Sequence, residues 1–186
     1  MDKLVLELIR RRPQVVILSP PFTIFSFVQA SNWNRMQKGE AMEKLRAGIH
    51  TLDIAIWVAA FQQRTGRAFI FEHPAGAASW KRDNMKQLLS QGQSQLLTTQ
   101  DSIFDQCMFG LKSPNGVPMR KRTTLRSNID EVFLAFGNMY CDKSHQHETI
   151  QGSVKGVNRS THAQHYPRGM CLKLAEVVHN YCDRAK

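Results

Sequence analysis

The chain has 186 residues, of which 42% are hydrophobic and 7 are proline, a composition typical of one folded domain rather than a disordered segment. The net charge of +10 favours a polyanionic partner such as DNA. The apolar stretches are too short to cross a bilayer and the first twelve residues lack a secretory core, so we expect no membrane partner. Four cysteines without disulfide-like spacing fit a reducing, intracellular location, nuclear or cytoplasmic.

Short apolar runs alternate with amphipathic segments along the chain. In order, the pattern predicts a helix over 3–12, a strand over 14–18, a loop over 20–38, a helix over 40–65, a strand over 68–71, a helix over 80–90, a short strand over 95–98, weaker strands over 102–109 and 123–126, a helix over 129–140, an irregular His-rich insert over 141–166 and a closing helix over 168–182. Such alternation is typical of a parallel α/β sheet. We predict one α/β domain over 1–186, with a partial Rossmann-like, mostly parallel sheet and flanking helices.

An apolar strand that ends in two prolines is the most informative local feature. Val15–Leu18 lead directly into a stiff turn. The turn consists of Ser19, Pro20, Pro21 and Phe22. Phe69–Phe71 lead in the same way into Glu72. Because ligands of open α/β sheets bind beyond the carboxyl ends of the strands, we expect this turn and Glu72 to share one crevice. A carboxylate there can accept hydrogen bonds from a nucleobase, and the alternative is an exposed charge at a strand end.

Four strings, in this order, resemble motifs of DNA (cytosine-5) methyltransferases. They are Arg12 to Ile17 with Pro20, Pro21, Phe25 and Ser26, similar to the catalytic loop; Phe69 to Pro74 with Gly76, similar to the motif whose glutamate binds cytosine; Asn115 to Arg122, similar to the motif whose arginines meet the phosphate backbone and the reacting base; and Tyr166-Pro167 near the last motif. EHPAGAASW and FDQC also resemble a methyltransferase-like domain of some retroelement polyproteins. The resemblance implies S-adenosylmethionine as cofactor, DNA as partner, and a catalytic site at Ser19, Pro20, Pro21, Phe22 and Glu72.

Three departures from that family predict a degenerate or partial domain. Phe22 stands where the family has its nucleophilic cysteine, and a phenyl ring cannot add to carbon 6 of cytosine. No Gly-rich cofactor loop precedes Pro13, so the first, cofactor-binding half is expected to be missing. Glu72 is followed by His-Pro rather than Asn-Val. We therefore expect an N-terminally truncated domain that binds DNA and is inactive alone. An open edge at Val15–Leu18 would favour self-association or a separate cofactor-binding chain.

The same turn allows an enzymatic alternative. Ser-Pro-Pro-Phe is also the active-site form of amino-methyltransferases, in which the serine and a backbone carbonyl accept from the exocyclic amino group and the aromatic ring stacks on the flipped base. Phe22 would then be a functional residue. The alternative is an exocyclic-amino methyltransferase for cytosine or adenine that acts with a partner chain, although the downstream strings fit the cytosine-5 class better.

A possible zinc site lies in the His-rich insert. Cys141, His145 and His147 offer three ligands within seven residues, and Cys107 could be the fourth once the chain folds back. A merely polar loop is the alternative. If zinc is bound, the chain could be a non-catalytic, zinc-stabilised nucleic-acid-binding module.

Basic residues crowd the segment after the Asn-Gly-Val-Pro string. They are Arg120, Lys121, Arg122 and Arg126. This density predicts phosphate contacts that position a duplex without reading its sequence. A solvated charged face is the alternative.

Overall fold

A computed structural model describes residues 2–25, 37–90 and 98–184. The helices are α1 (Asp2–Arg11), α2 (Lys38–Arg64), α3 (Asp83–Ser90), α4 (Asp130–Phe136), α5 (Arg159–His162) and α6 (Arg168–Arg184). The strands are β1 (Val15–Leu18), β2 (Ala68–Pro74), β3 (Gln100–Asp105), β4 (Arg122–Ser127), β5 (Ser153–Val154) and β6 (Val157–Asn158). Short 3-10 turns cover Thr23–Phe25, Ala78–Lys81 and Gln106–Phe109. The strand predicted at 95–98 lies mostly outside the described residues.

The main sheet has four strands in the order β1-β2-β4-β3, and β1 and β2 are its parallel pair, with Val15 opposite Ala68 and Leu18 opposite Phe71. The predicted α/β class is confirmed, but the prediction of a mostly parallel sheet is wrong. A parallel crossover needs a helix-sized connection, which α2 provides between β1 and β2. The connection from β3 to β4 holds only a 3-10 turn and an antiparallel bridge between Lys112 and Pro118. The Rossmann-like assignment stays a prediction.

Residue contacts divide the chain into two compact units. The first unit contains Met1–Gln100 and Arg126–Asp130, and the second contains Asp101–Leu125 and Glu131–Lys186. The prediction of a single domain over 1–186 is not tested by this division. Among the described residues, none of the helices combines the length and the apolar character needed to cross a bilayer.

In the first unit, α2 packs its apolar face on β2. Leu52, Ile56 and Ala59 recur at helical spacing and are fully or almost fully buried against Phe69 and Phe71. α2 also secures the strand starts, because the Gln62 amide donates to the carbonyl oxygens of Pro13 (3.0 Å) and Ala68 (3.1 Å). β2 is almost entirely buried, whereas the residues of β1 are only partly buried and Ile17 is exposed.

In the second unit, three phenyl rings form the centre of an aromatic cluster. Phe104, Phe109 and Phe136 lie with ring centroids 5.1–5.2 Å apart. Gly169 of α6 comes so close to this cluster that an added Cβ would lie 2.6 Å from the Phe109 carbonyl oxygen. Any side chain at that position would push α6 away from the 3-10 turn that carries Phe109.

The predicted irregular insert over 141–166 is irregular only in its first part. β5 and β6 pair antiparallel across a turn in which Lys155 (φ 50°) and Gly156 (φ 75°) both have positive φ. Two successive residues with positive φ match the backbone twist of a tight hairpin. α5 follows directly, and the Asn158 side chain accepts from the Ser160 amide at its start.

Candidate functional site

The ends of β1 and β2 bring Ser19 and Glu72 together. The parallel register pairs Leu18 with Phe71, and in the residues that follow them the Ser19 hydroxyl donates to Oε2 of Glu72 (2.9 Å). Glu72 is only 3% exposed, whereas Ser19 faces solvent. Ser19 of the turn thus contacts Glu72, while the shared crevice stays a prediction. Their catalytic role stays a prediction.

His73 is hydrogen-bonded to the turn through the carbonyl oxygen of Pro20. The residue is fully buried, and its Nε2 lies 2.9 Å from the Pro20 carbonyl oxygen. A carbonyl oxygen can only accept, so Nε2 carries the hydrogen, and Nδ1 accepts from the Ser79 hydroxyl (2.7 Å). Sequence reasoning noted His73 only as a departure from a family motif. The sequence signal for His73 was a polar residue between Glu72 and Pro74, at the end of an apolar run.

Phe22 contacts the same imidazole. Its ring meets His73 edge-on, with centroids 6.4 Å apart, and it is partly buried, while Pro20 is buried and Pro21 exposed. Ser19, Glu72 and Phe22 thus lie at the carboxyl ends of the parallel pair, where they could hold a planar polar ligand. None of the four cysteines belongs to the first unit, so this unit supplies no thiol nucleophile.

The second unit gathers the four predicted metal ligands. Cys107 lies on the 3-10 turn after β3, and Cys141, His145 and His147 follow α4. Their ligand atoms all lie within 4.8 Å of one another. Nε2 of His145 and Nε2 of His147 lie 3.6 and 3.4 Å from Sγ of Cys141. Zinc bonds of about 2.3 Å to sulfur and about 2.0 Å to nitrogen give a tetrahedral S-to-N edge of about 3.6 Å.

Hydrogen bonds alone do not explain well why the two imidazoles and the Cys141 sulfur lie so close together. A thiol carries one hydrogen, yet Sγ of Cys141 meets both imidazoles and also accepts from the Lys143 amide (3.3 Å). Burial, and then the neighbouring Cys141, raise the pKa of the Cys107 thiol to about 12. Burial and the charges of His145 and Arg120 lower the pKa of His147, which favours the neutral imidazole that metals bind. The cluster could hold a metal ion.

Asp105 contacts this cluster through the backbone amide of Cys141. It is fully buried, and its Oδ2 accepts from the Cys141 amide (3.1 Å) and from Nη2 of Arg122 (2.8 Å), while Oδ1 accepts from Nε of Arg122 (3.0 Å). Burial opposes ionisation, but these hydrogen bonds outweigh it and lower the pKa of Asp105. Sequence reasoning missed Asp105, whose only signal is a carboxylate that ends a strand just before Cys107.

The four predicted phosphate-binding residues have different environments. Arg126, in the first unit, is 3% exposed, donates to the Met85 carbonyl oxygen (2.6 Å) and lies over the Trp80 ring. Lys121, in the second unit, is 8% exposed and donates to the Ala163 carbonyl oxygen (3.2 Å). Arg120 and the half-exposed Arg122 face solvent. Charge density in a sequence does not show burial, and solvent reaches mainly the latter two side chains.

Comparison with family models, with curated proteins and with solved structures finds no match for this chain. The methyltransferase and retroelement resemblances therefore stay predictions.

Proposed function

We propose that the protein is a non-catalytic, zinc-stabilised module that binds nucleic acid. The convergence of Cys107, Cys141, His145 and His147 carries this proposal. Two thiols and two imidazoles are a donor set that suits Zn²⁺. Four protein ligands fill a tetrahedral site and leave no position for a reactive water, so the metal would be structural.

The local fold supports a structural role for a metal. No α-helix or strand lies between Phe136 and Ser153, all of which the structure describes. Backbone ladders therefore contribute little order to the segment that holds Cys141, His145 and His147. A metal that joins this segment to Cys107 would supply that order, because its binding free energy becomes folding free energy.

The nucleic-acid part of the proposal rests on charge. The chain carries 25 lysines and arginines against 15 acidic residues. Arg120 and Arg122 are exposed, and Arg122 is bonded to Asp105, which also accepts from the backbone amide of the cluster residue Cys141. Exposed guanidinium groups on a strongly basic protein suit phosphate contacts that release counterions.

Metal analysis of the protein, purified without added zinc, tests the first part. We expect about one zinc per chain, with Cys141→Ser losing zinc and melting at lower temperature. Cys171→Ser is the matched control, because Cys171 is exposed and lies outside the cluster. Less than about a tenth of an equivalent in the wild type would overturn the zinc site. A zinc-loaded chain whose binding to DNA does not fall with salt would overturn the nucleic-acid part.

A second candidate function is favoured by the contact between Ser19 and Glu72. The hydrogen bond between Ser19 and Glu72 and the contact of Phe22 with His73 support a site that could hold a target base. We propose this domain as degenerate or partial, with S-adenosylmethionine bound only if a separate chain completes the site. In the exocyclic-amino alternative, Phe22 would stack on the base, so Phe22→Ala would abolish transfer once the cofactor-binding half is supplied. No methyl transfer to cytosine or adenine amino groups under that condition would exclude this alternative.

A further inference from the structure

We propose that Arg120, Arg122 and Tyr140 form a platform for single-stranded nucleic acid, and that Asp105 ties this platform to the metal centre. The inference rests on the proposed nucleic-acid binding and names its substrate class and surface. All four residues belong to the second unit.

The platform is an arginine stacked on an exposed aromatic ring. The guanidinium carbon of Arg122 lies 4.9 Å from the centroid of the Tyr140 ring. Tyr140 is 41% exposed, and half of the Arg122 side chain is accessible to solvent. Because Asp105 engages both Nε and Nη2 of Arg122, the plane of the guanidinium is held in one orientation.

This chemistry fits unpaired bases better than a duplex. A guanidinium plane and an aromatic ring both offer flat surfaces on which a splayed base can stack, and neighbouring cations meet the backbone phosphates. Bases inside a duplex are already stacked on one another and expose only their edges. Arg120 is also exposed and lies two residues before Arg122 in the chain, so it is the residue that supplies a phosphate contact in this arrangement.

Asp105 forms hydrogen bonds with the residues on both sides of Tyr140, Met139 and Cys141. Its backbone amide donates to the Met139 carbonyl oxygen (3.0 Å), and its carboxylate accepts from the Cys141 amide (3.1 Å). Sγ of Cys141 is in turn a member of the metal cluster. Ordering of Cys141 by the metal therefore also orders Tyr140, its neighbour in sequence, and the Arg122 that lies on it. Asp105 is a positioning residue in this arrangement.

Fluorescence anisotropy of the zinc-loaded chain tests the platform, with an oligothymidylate of about twenty nucleotides and a duplex of the same length as probes. We expect tighter binding of the single strand. Tyr140→Ala should weaken single-strand binding by about five- to hundredfold and leave duplex binding unchanged. Tyr140→Phe, which keeps the ring, should retain the wild-type affinity.

The role of Asp105 is tested at saturating zinc with Asp105→Asn. We expect a lower ratio of single-strand to duplex affinity at unchanged zinc content, and an unchanged ratio would overturn the positioning role. Removal of zinc should cancel the single-strand preference of the wild type and have no further effect on the preference of Tyr140→Ala.

Failures of the two proposals are distinguishable. Absence of zinc, or absence of salt-dependent binding to either probe, overturns the proposed function. A zinc-loaded protein that binds nucleic acid but prefers the duplex, or whose Tyr140→Ala variant binds the single strand as tightly as the wild type, overturns only the platform.

Discussion

The buried imidazole of His73 donates from Nε2 to the carbonyl oxygen of Pro20 (2.9 Å), and this bond joins the end of β2 to the turn after β1. Nδ1 of the same ring accepts from the Ser79 hydroxyl. One side chain thus fixes two loops at the carboxyl ends of the parallel pair. The position of Ser19 beside Glu72 depends on that turn.

His73→Ala should destabilise the protein by about 2–4 kcal/mol, because it leaves a buried carbonyl oxygen unsatisfied and opens a cavity. Urea unfolding followed by circular dichroism would measure the loss. His50→Ala provides the control, since His50 is an exposed histidine on α2 of the same unit. A loss below about 1 kcal/mol would mean that the turn is held by other contacts.

Arg126→Ala should lower stability, whereas Arg120→Ala should lower the affinity for nucleic acid. Arg126 is buried on Trp80 and donates to the Met85 carbonyl oxygen, so its loss should cost about 2 kcal/mol or more of stability. Arg120 is exposed, so its loss should leave the melting temperature unchanged and lower both the affinity for nucleic acid and the salt slope. Thermal melts and salt titrations separate the two effects. Weakened binding by a fully stable Arg126→Ala would restore Arg126 as a phosphate contact.

Phe22→Cys should not create cytosine-5 methyltransferase activity in this chain. The substitution supplies a thiol at the position of the family's nucleophile, but Glu72 is still followed by His-Pro where the family has Asn-Val. The assay is transfer of radiolabelled methyl groups from S-adenosylmethionine to DNA, with the wild type in parallel. Methyl transfer by either protein alone would contradict the interpretation of a domain that is inactive by itself.

We expect the protein to self-associate through β1. β1 is the terminal strand in the order of the sheet, and Ile17 on it is 53% exposed. An apolar strand at a sheet edge is a template for pairing with another chain. Light scattering should show a mass that rises with concentration, and Ile17→Lys should reduce this rise. Leu134→Lys, at an exposed leucine on α4, is the control for added charge. A wild type that stays monomeric at high concentration would contradict the expectation.

Much of the fold was predictable because it depends on local patterns. The helices α1, α2 and α6 begin and end within about two residues of the predicted bounds, since their apolar residues recur at helical spacing. The meeting of Ser19 and Glu72 was also predictable, because two strands joined through one long helix pair in parallel and end at the same edge. The mixed sheet was missed because apolar runs do not encode strand direction.

The sequence by itself determined the elements and the local Cys-x3-His-x-His spacing, because hydrophobic periodicity and short-range reach act within a few residues. Only the tertiary structure decided that Cys107 joins those three ligands, that Asp105 links Cys141 to Arg122, and that Lys121 and Arg126 are buried. These relationships connect residues tens of positions apart. Long-range packing determines which side of a strand faces the interior and which distant backbone groups a charged side chain binds. The local sequence pattern predicts neither.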